Sequence, residues 1–416
     1  MAFEFSDEHK MARRLLRQWV EAELAPAADM IESGALLPYD LTRKLLRTFG
    51  VAAVAEDAFA IAADGAARRE GEQIAGEPPQ GPAGMLVMGD ATLSAVLTIE
   101  LSRVSPGFAL SLGATIGACA RTIMRKGTRE QKARFALPLL TGEKIGAWAV
   151  TEPGAGSDAF GGMRMTARRV DGGFVLSGQK AFITNAPYAD VLIVYAKLHD
   201  GDVQLRDRPI QAFLLEKGMP GLTVSAPMKK MGMGASPTGE IFVDEVFVGD
   251  DRVLGAQLEH SSREEVRDFF HTERTAVVAM AYGIIERCLE TALAYARERR
   301  TWQQPIGDYQ LVQAKLARMY IHFQNVRGLL FRDLWMSERG IRMTLGEASA
   351  MKAYAAPAAT ECALEAIQIL GGNGYMRDYR VEQLARDAKA LQIGGGTDEI
   401  QLVTCARALL RGDTVL

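Results

Sequence analysis

SREEVRDFFHTERTAVVAMAYGIIERCLETALAYARERR (residues 262–300) holds no proline and a single glycine over nearly forty positions. Without a breaker the stretch predicts one long helix. Further helical patterns follow it at 309–338, 345–370, 379–390 and 397–411. On its other side, from about 146 to 257, the period changes to two: AWAVTE, MRMTARRV, GFVLSG, VLIVYAKL, IQAFLLE, LTVSA and EIFVDEVFV alternate with Gly, Pro, Asp and Asn clusters, as strands do. Earlier still, LLRQWVEAEL (15–24), LTRKLLRTFG (41–50), ATLSAVLTIELSRV (91–104) and TREQKARFALPLLTG (128–142) are helical again. Strands confined to the middle argue against βαβ units and a parallel sheet. The expected class is α+β, with a helical domain over 1–145, a central antiparallel β-domain over 146–257 and a helical domain over 258–416.

The 416 residues, 48% of them apolar, suffice for two or three cores. Lys and Arg (48) nearly balance Asp and Glu (51), for a net charge of −3, and no basic run is interleaved with aromatics. Nucleic acid is not expected as a partner. Cys119, Cys288, Cys362 and Cys405 lie far apart with no CxxC spacing, which fits reduced core thiols in a cytoplasmic protein. The histidines form no metal spacing either, so no metal site is expected. The N-terminus is charged and helix-patterned, unlike a secretory signal. The most apolar runs, 107–118 and 275–285, are shorter than the roughly 18 to 20 residues that cross a bilayer, so no membrane span is expected. Residues 56–84, rich in Ala, Gly, Glu and Pro, read as a surface loop or as a lid over a ligand.

GAGSDA (154–159) matches a dinucleotide fingerprint, but Pro153 precedes it and a strand pattern, not a helix, follows. Nicotinamide binding is not expected from it. Together, WAVTEPGAGSD (148–158), GQKAFITNAPYADVLIVYAK (178–197), KMGMGASPTGEIFVDEVFV (230–248), ARERRTWQQPIGDYQLVQAKLA (296–317) and QILGGNGYMRDYRVEQLARDAKALQIGGGTDEIQ (368–401) resemble the acyl-CoA dehydrogenase family, over nearly the whole chain. The resemblance implies a C-terminal four-helix bundle, FAD, usually a homotetramer, an acyl-CoA substrate and an electron-transfer flavoprotein as electron acceptor.

It also implies roles residue by residue. Trp148, Val150 and Thr151 would meet the flavin ring, and Gly156 and Ser157 would line the ribityl, pyrophosphate and substrate region. Phe182 resembles an aromatic flanking the ring, and Thr184 a hydroxyl offered to flavin N5. Arg299, Thr301, Trp302 and Gln310 match contacts to the adenine and pyrophosphate part, with Gln368, Gly371 and Gly372 as further contacts. Over a continuous helix Glu273 and Arg299 would lie about 39 Å apart, so Arg299 is expected to reach the FAD of a neighbouring subunit. Thr397 reads as an N-cap, and family usage places it beside the cofactor together with Glu399.

In IGGGTDEI (393–400), Gly395 stands where most members carry their catalytic Glu. A Glu before Arg inside a helix is ordinarily a solvated surface residue. Here Ala276, Val277, Val278, Ala279, Met280 and Ala281 follow Glu273, and the isovaleryl-CoA and long-chain branches place their base at its position while carrying Gly or Ala at that of Gly395. The resemblance implies α-proton abstraction by Glu273 and hydride transfer to FAD, with the Gly395 N–H donating to the thioester oxygen. Arg274 matches a substrate-side Arg and equally a structural ion-pair partner. Gly234 departs from the pattern, which usually has Arg there. A flavin oxidase or monooxygenase, an acyl group held on a carrier protein, and a non-enzymatic flavoprotein are the competing readings.

Overall fold

Helix starts follow the capping chemistry of the sequence. Ser6, Asp90, Thr344 and Thr397 each accept the N–H of the residue three positions on, and Thr344 with Glu347 forms a reciprocal capping box. The computed structural model describes residues 4–56, 59, 90–199, 203–256 and 263–414, with backbone alone over 263–272. Nearly all of the 56–84 stretch, read from sequence as a loop or lid, therefore lies outside the described residues.

The N-terminal helices are α1 (Asp7–Trp19), α2 (Ala25–Ser33), α3 (Tyr39–Thr48), α4 (Ala91–Ser102), the continuous helical run α5 (Pro106–Lys126) and a run over 129–140, α6. A π-helical turn, Val20–Leu24, joins α1 to α2. The α5 run is longer than the apolar stretch expected from sequence. By length and composition it is the one helix among the described residues apolar enough to cross a membrane. Phe108, Leu112, Ile116, Cys119, Ala120 and Ile123 bury one face of it in the helical core instead.

Seven strands follow: β1 (Gly146–Ala149), β2 (Thr166–Val170), β3 (Gly173–Thr184), β4 (Val191–Leu198), β5 (Ile210–Glu216), β6 (Leu222–Val224) and β7 (Thr238–Gly249). The sheet runs β1-β4-β2-β3-β7-β6, with β5 on the far edge of β4. The expected antiparallel arrangement needs correction, because β4 pairs in parallel with β1 along 191–194 and with β2 at 197–198. Between β1 and β4 the chain runs out and back through β2 and β3, and it re-enters beside β1 in the same direction. The remaining pairings are antiparallel. Along β4, Val191, Ile193 and Tyr195 join the helical core while Leu192, Val194 and Ala196 join a second core within the sheet domain. Burial on both faces explains why VLIVYAKL reads as a continuous apolar run.

The long helix predicted first is α7 (Arg263–Glu298). It is followed by α8 (Gln310–Glu338), α9 (Leu345–Leu370), α10 (Val381–Leu391) and α11 (Asp398–Arg411). The glycine inside α7 has a packing reason: a Cβ at Gly283 would lie 2.4 Å from the Ile99 carbonyl of α4. An ion cluster ties α1, α4 and α7 together. The fully buried Glu100 accepts from Arg13 (2.6 Å) and Arg17 (2.8 Å), while Glu286 accepts from Arg13 (2.6 Å) and Arg103. Cys119, Cys288 and Cys362 are buried free thiols and Cys405 is half-buried.

Candidate active site

Between α10 and α11 the chain crosses three consecutive glycines, and Gly395 (φ +65°) and Gly396 (φ +89°) occupy left-handed backbone that side chains resist. Gly394 donates its N–H to the Ala390 carbonyl at 2.8 Å, and Asp398 donates to Gln392 at 3.0 Å, closing the loop across its base. Against this loop lies the Glu273 side chain. A Cβ added to Gly395 would stand 3.2 Å from Glu273 Cδ and 3.3 Å from Oε1. The helix that carries Glu273 and the loop that lacks a carboxylate thus converge on one point.

Glu273 keeps partial solvent contact, yet the protein packed around its carboxyl raises its pKa through desolvation, against the opposing charges of Arg274 and Lys352. Arg274 is 5% exposed; burial lowers its pKa and the Glu273 charge opposes that shift. Lys352, on the Ala-rich face of α9, is fully buried, and burial pulls its ammonium down to about 8 despite Asp398 and Glu273. Its Nζ donates to the Gly396 carbonyl. Gln401 of α11 donates to the Gly395 carbonyl at 2.8 Å and to the Gly396 carbonyl at 3.1 Å. Thr397 caps α11, placing the exposed Glu399 in its first turn.

The sheet domain assembles a second group. Register shifts between β3 and β7, at 176–178 and 180–183, bulge the strand around Phe182. Phe182 takes φ +59° and turns 66% of its surface outward. A bulky aromatic held exposed in left-handed backbone points to a binding constraint. Ala181 donates to the Thr151 carbonyl (2.9 Å), and the fully buried Lys180 donates to the Val150 carbonyl (3.0 Å) and to Glu152 (2.9 Å). Glu152 in turn accepts from Arg164 and Met165 N–H. This brings the 148–152 segment beside the 182–184 bulge. Val150 is buried, while Trp148, Thr151 and Thr184 are half-buried, and Trp148 meets Tyr195 edge-on at 5.2 Å. Gly156 and Ser157 are exposed, with open space where a Cβ at Gly156 would sit. Asn185 (φ +66°), next to Thr184, is fully buried and donates to the Ser111 carbonyl (2.9 Å), Thr115 Oγ1 (3.1 Å) and the Gly146 carbonyl (3.2 Å).

A third group stands apart, at the far end of α7. Arg299, Trp302 and Gln310 are exposed and Thr301 is half-buried. Trp302 shows 86% of its surface and takes φ +45° in a hairpin of Arg300–Thr301 with Gln304–Pro305. The exposed Gln368, Gly371 and Gly372 join it, because Asn373 donates to the Tyr295 hydroxyl at 3.0 Å. Since α7 is unbroken, this group is about 39 Å along the helix from Glu273.

Gly234, the departure from the expected Arg, sits where α2 approaches most closely: a Cβ there would lie 2.1 Å from the Glu32 carbonyl. Glu32 accepts the Gly234 N–H at 2.9 Å, and Asp387 of α10 accepts the Met233 N–H. Sequence reading had not singled out Lys352, Gln401, Glu152, Lys180 or Asn185. A lone charge amid AMKAYAAPAA was the available signal for Lys352.

These features agree with what the chain is similar to. Sequence profiles of the acyl-CoA dehydrogenase N-terminal, middle and C-terminal domains match residues 80–143, 147–246 and 264–410. A mitochondrial isovaleryl-CoA dehydrogenase of Oryza sativa subsp. japonica is 37% identical over 312 residues, 75% of each chain. The solved butyryl-CoA dehydrogenase of Megasphaera elsdenii superimposes with a TM-score of 0.85 at 32% identity, covering 99% of this chain and all of that one. An FAD complex of PigA superimposes with a TM-score of 0.83 at 29% identity over 99% of this chain and 100% of its own. The chain is a member of the acyl-CoA dehydrogenase family, a flavoprotein oxidoreductase acting on CH–CH groups.

Proposed function

We propose that the protein oxidises an acyl-CoA thioester to the trans-2-enoyl-CoA, with Glu273 as the base. The observation that carries this reading is the meeting of the Glu273 carboxyl with the bare Cα of Gly395. A carboxyl whose pKa is raised by burial is a stronger base once ionised, and the adjacent cations Arg274 and Lys352 keep the ionised form accessible. An aliphatic α-proton is too weakly acidic for a carboxylate unless the enolate oxygen is stabilised. Among the described residues the Gly395 N–H has no protein acceptor, so it is free to donate to the thioester carbonyl as charge develops there.

FAD, when bound, supplies the acceptor for the β-hydrogen as hydride. The residues present fit that group: Phe182 and Trp302 are exposed aromatics on left-handed backbone, and the glycines at 154 and 156 leave room for close approach. Val150, Thr151 and Thr184 would face the ring, Gly156 and Ser157 the ribityl and substrate side, and Thr397 and Glu399 its other edge. Arg299, Thr301, Trp302, Gln310, Gln368, Gly371 and Gly372 are too far from Glu273 to serve the same centre. In this reading they serve a neighbouring subunit, within a homotetramer. An electron-transfer flavoprotein is the acceptor, and the Glu273-type base favours branched or longer acyl groups. Arg274, buried against that base, helps to hold the thioester side.

Anaerobic titration of the purified flavoprotein against straight, branched and carrier-protein-bound acyl thioesters tests the reading through bleaching of the flavin. Bleaching by acyl-CoA that persists on admission of air supports it. Rapid reoxidation with peroxide formation, or bleaching by carrier-bound thioesters alone, overturns it.

A further inference from the structure

We propose that Lys352 and Gln401 are positioning residues of the reaction, a two-pronged clamp that aims the Gly395 N–H at the thioester oxygen. The proposal rests on the dehydrogenase reading above. Three glycines in succession make the least rigid backbone a chain can offer, whereas a hydrogen-bond donor to a developing oxyanion must be held within a few tenths of an ångström. The loop therefore needs external support. Gln401 Nε2 holds the carbonyls of both Gly395 and Gly396, and Lys352 Nζ holds the second of them from the opposite helix. On the other side of the Gly395 N–H, Gly394 is pinned to Ala390. The peptide planes flanking the free N–H are thus fixed at both ends, while the N–H itself is left unspent.

The two side chains are unusual choices for mere filling. Both are fully buried, and the buried residues of α9 beside Lys352 are Ala348, Ser349, Met351, Ala355 and Ala356, none of them charged. A buried lysine carries a desolvation cost that a methionine of similar length would avoid. The Gln401 amide is oriented by the same carbonyls, because turning it over would set Oε1 against two other oxygens; as placed, Oε1 is buried with no protein partner among the described residues. Gly396 completes the device: a Cβ there would come 2.8 Å from Gln401 Nε2 and so push the prong away.

The test uses FAD-loaded Lys352→Met, Gln401→Met and Gln401→Glu beside wild type and Glu273→Gln. The readout is exchange of the α-hydrogens of a 3-thia-acyl-CoA with D2O, which needs the base and the oxyanion donor but no β-hydrogen. We expect exchange and kcat to fall roughly tenfold to hundredfold in each clamp variant, with KM for acyl-CoA within about threefold and flavin content unchanged. A structural role alone would lower thermal stability and leave exchange at the wild-type rate, and that result overturns the clamp. So does a rise in KM with kcat intact. If Lys352→Met does not fold, the two Gln401 variants decide, and failure of all three to fold counts against a separable positioning role. Wild type that exchanges no thioester would instead remove the dehydrogenase reading itself, independently of the clamp.

Discussion

The carboxyl of Glu273 and the α-carbon of Gly395 share one site: a methyl group on Gly395 would lie within 3.3 Å of both Cδ and Oε1 of Glu273. The absence of a side chain at 395 is therefore what lets a carboxylate from α7 occupy this position. Gly395→Ala should crowd the Glu273 carboxyl directly and strain a backbone at φ +65°. The expected outcome is a loss of kcat/KM of tenfold or more and of about 1 kcal/mol in stability. Steady-state kinetics with denaturant unfolding checks both.

Burial raises the pKa of Glu273, so the folded state holds that proton at pH values where the unfolded chain has released it. The sign follows: the stability this group contributes is present at low pH and lost as pH rises through its folded pKa, while activity rises over the same interval. Glu273→Gln should flatten that part of the stability profile and leave the protein at least as stable at neutral pH. Urea unfolding of both proteins over a pH series rising from the ordinary carboxylate range measures it.

At the junction of α2, α10 and the 230–236 loop, burial first and the facing Glu32 second push Asp387 up to about 7. Arg386 opposes this, as do the N–H of Met233 and the amide of Gln383, while the nearby Lys230 is itself drawn down to about 8 by burial. A raised carboxyl pKa again means stability that is full at low pH and lost as pH rises through about 7. Asp387→Asn should remove a measurable part of the fall in Tm between about pH 5 and 8. An unchanged slope would show that the proton resides elsewhere.

The pair Lys180–Glu152 holds the 148–152 segment against the bulge of β3, with both side chains out of solvent. Removing the cation in Lys180→Met leaves a buried carboxylate without its counter-ion, at a cost of roughly 3–5 kcal/mol. Lys180→Met with Glu152→Gln should recover much of that loss. Thermal unfolding of the two single variants and the double variant gives the coupling directly.

Trp302 and Arg299, exposed at the distal end of α7, are predicted to hold cofactor only across a subunit boundary. Trp302→Ala and Arg299→Ala should each lower the flavin-to-protein ratio while the isolated chain retains its helical circular dichroism. Absorbance ratios and circular dichroism report these two, and light scattering reports the state of assembly. Full flavin retention in a monomeric variant would contradict the shared site.

The helices of this fold were legible because their signals are local: the cap at Thr397, and the breaker-free run through Glu273, act within a turn or two. The parallel pairings of β1 and β2 with β4 were not, since strand direction is set by connections of some forty residues from β1 and some twenty from β2 rather than by alternation along a strand. In the candidate site the substitution at 395 was visible as a missing carboxylate, yet its meaning depended on Glu273, more than a hundred residues earlier, reaching the same point. Lys352 and Gln401 escaped notice because their task is to grip backbone carbonyls, which leave no mark in the sequence.

The most direct measurement is the single-turnover rate of flavin bleaching when wild-type and Glu273→Gln holoenzymes are mixed anaerobically with a saturating concentration of whichever acyl-CoA bleaches the wild-type flavin fastest. If the Glu273 carboxylate removes the α-proton, bleaching by the variant should be slower by roughly 10²–10⁴-fold at matched flavin content. A variant that bleaches at the wild-type rate contradicts the assignment of the base.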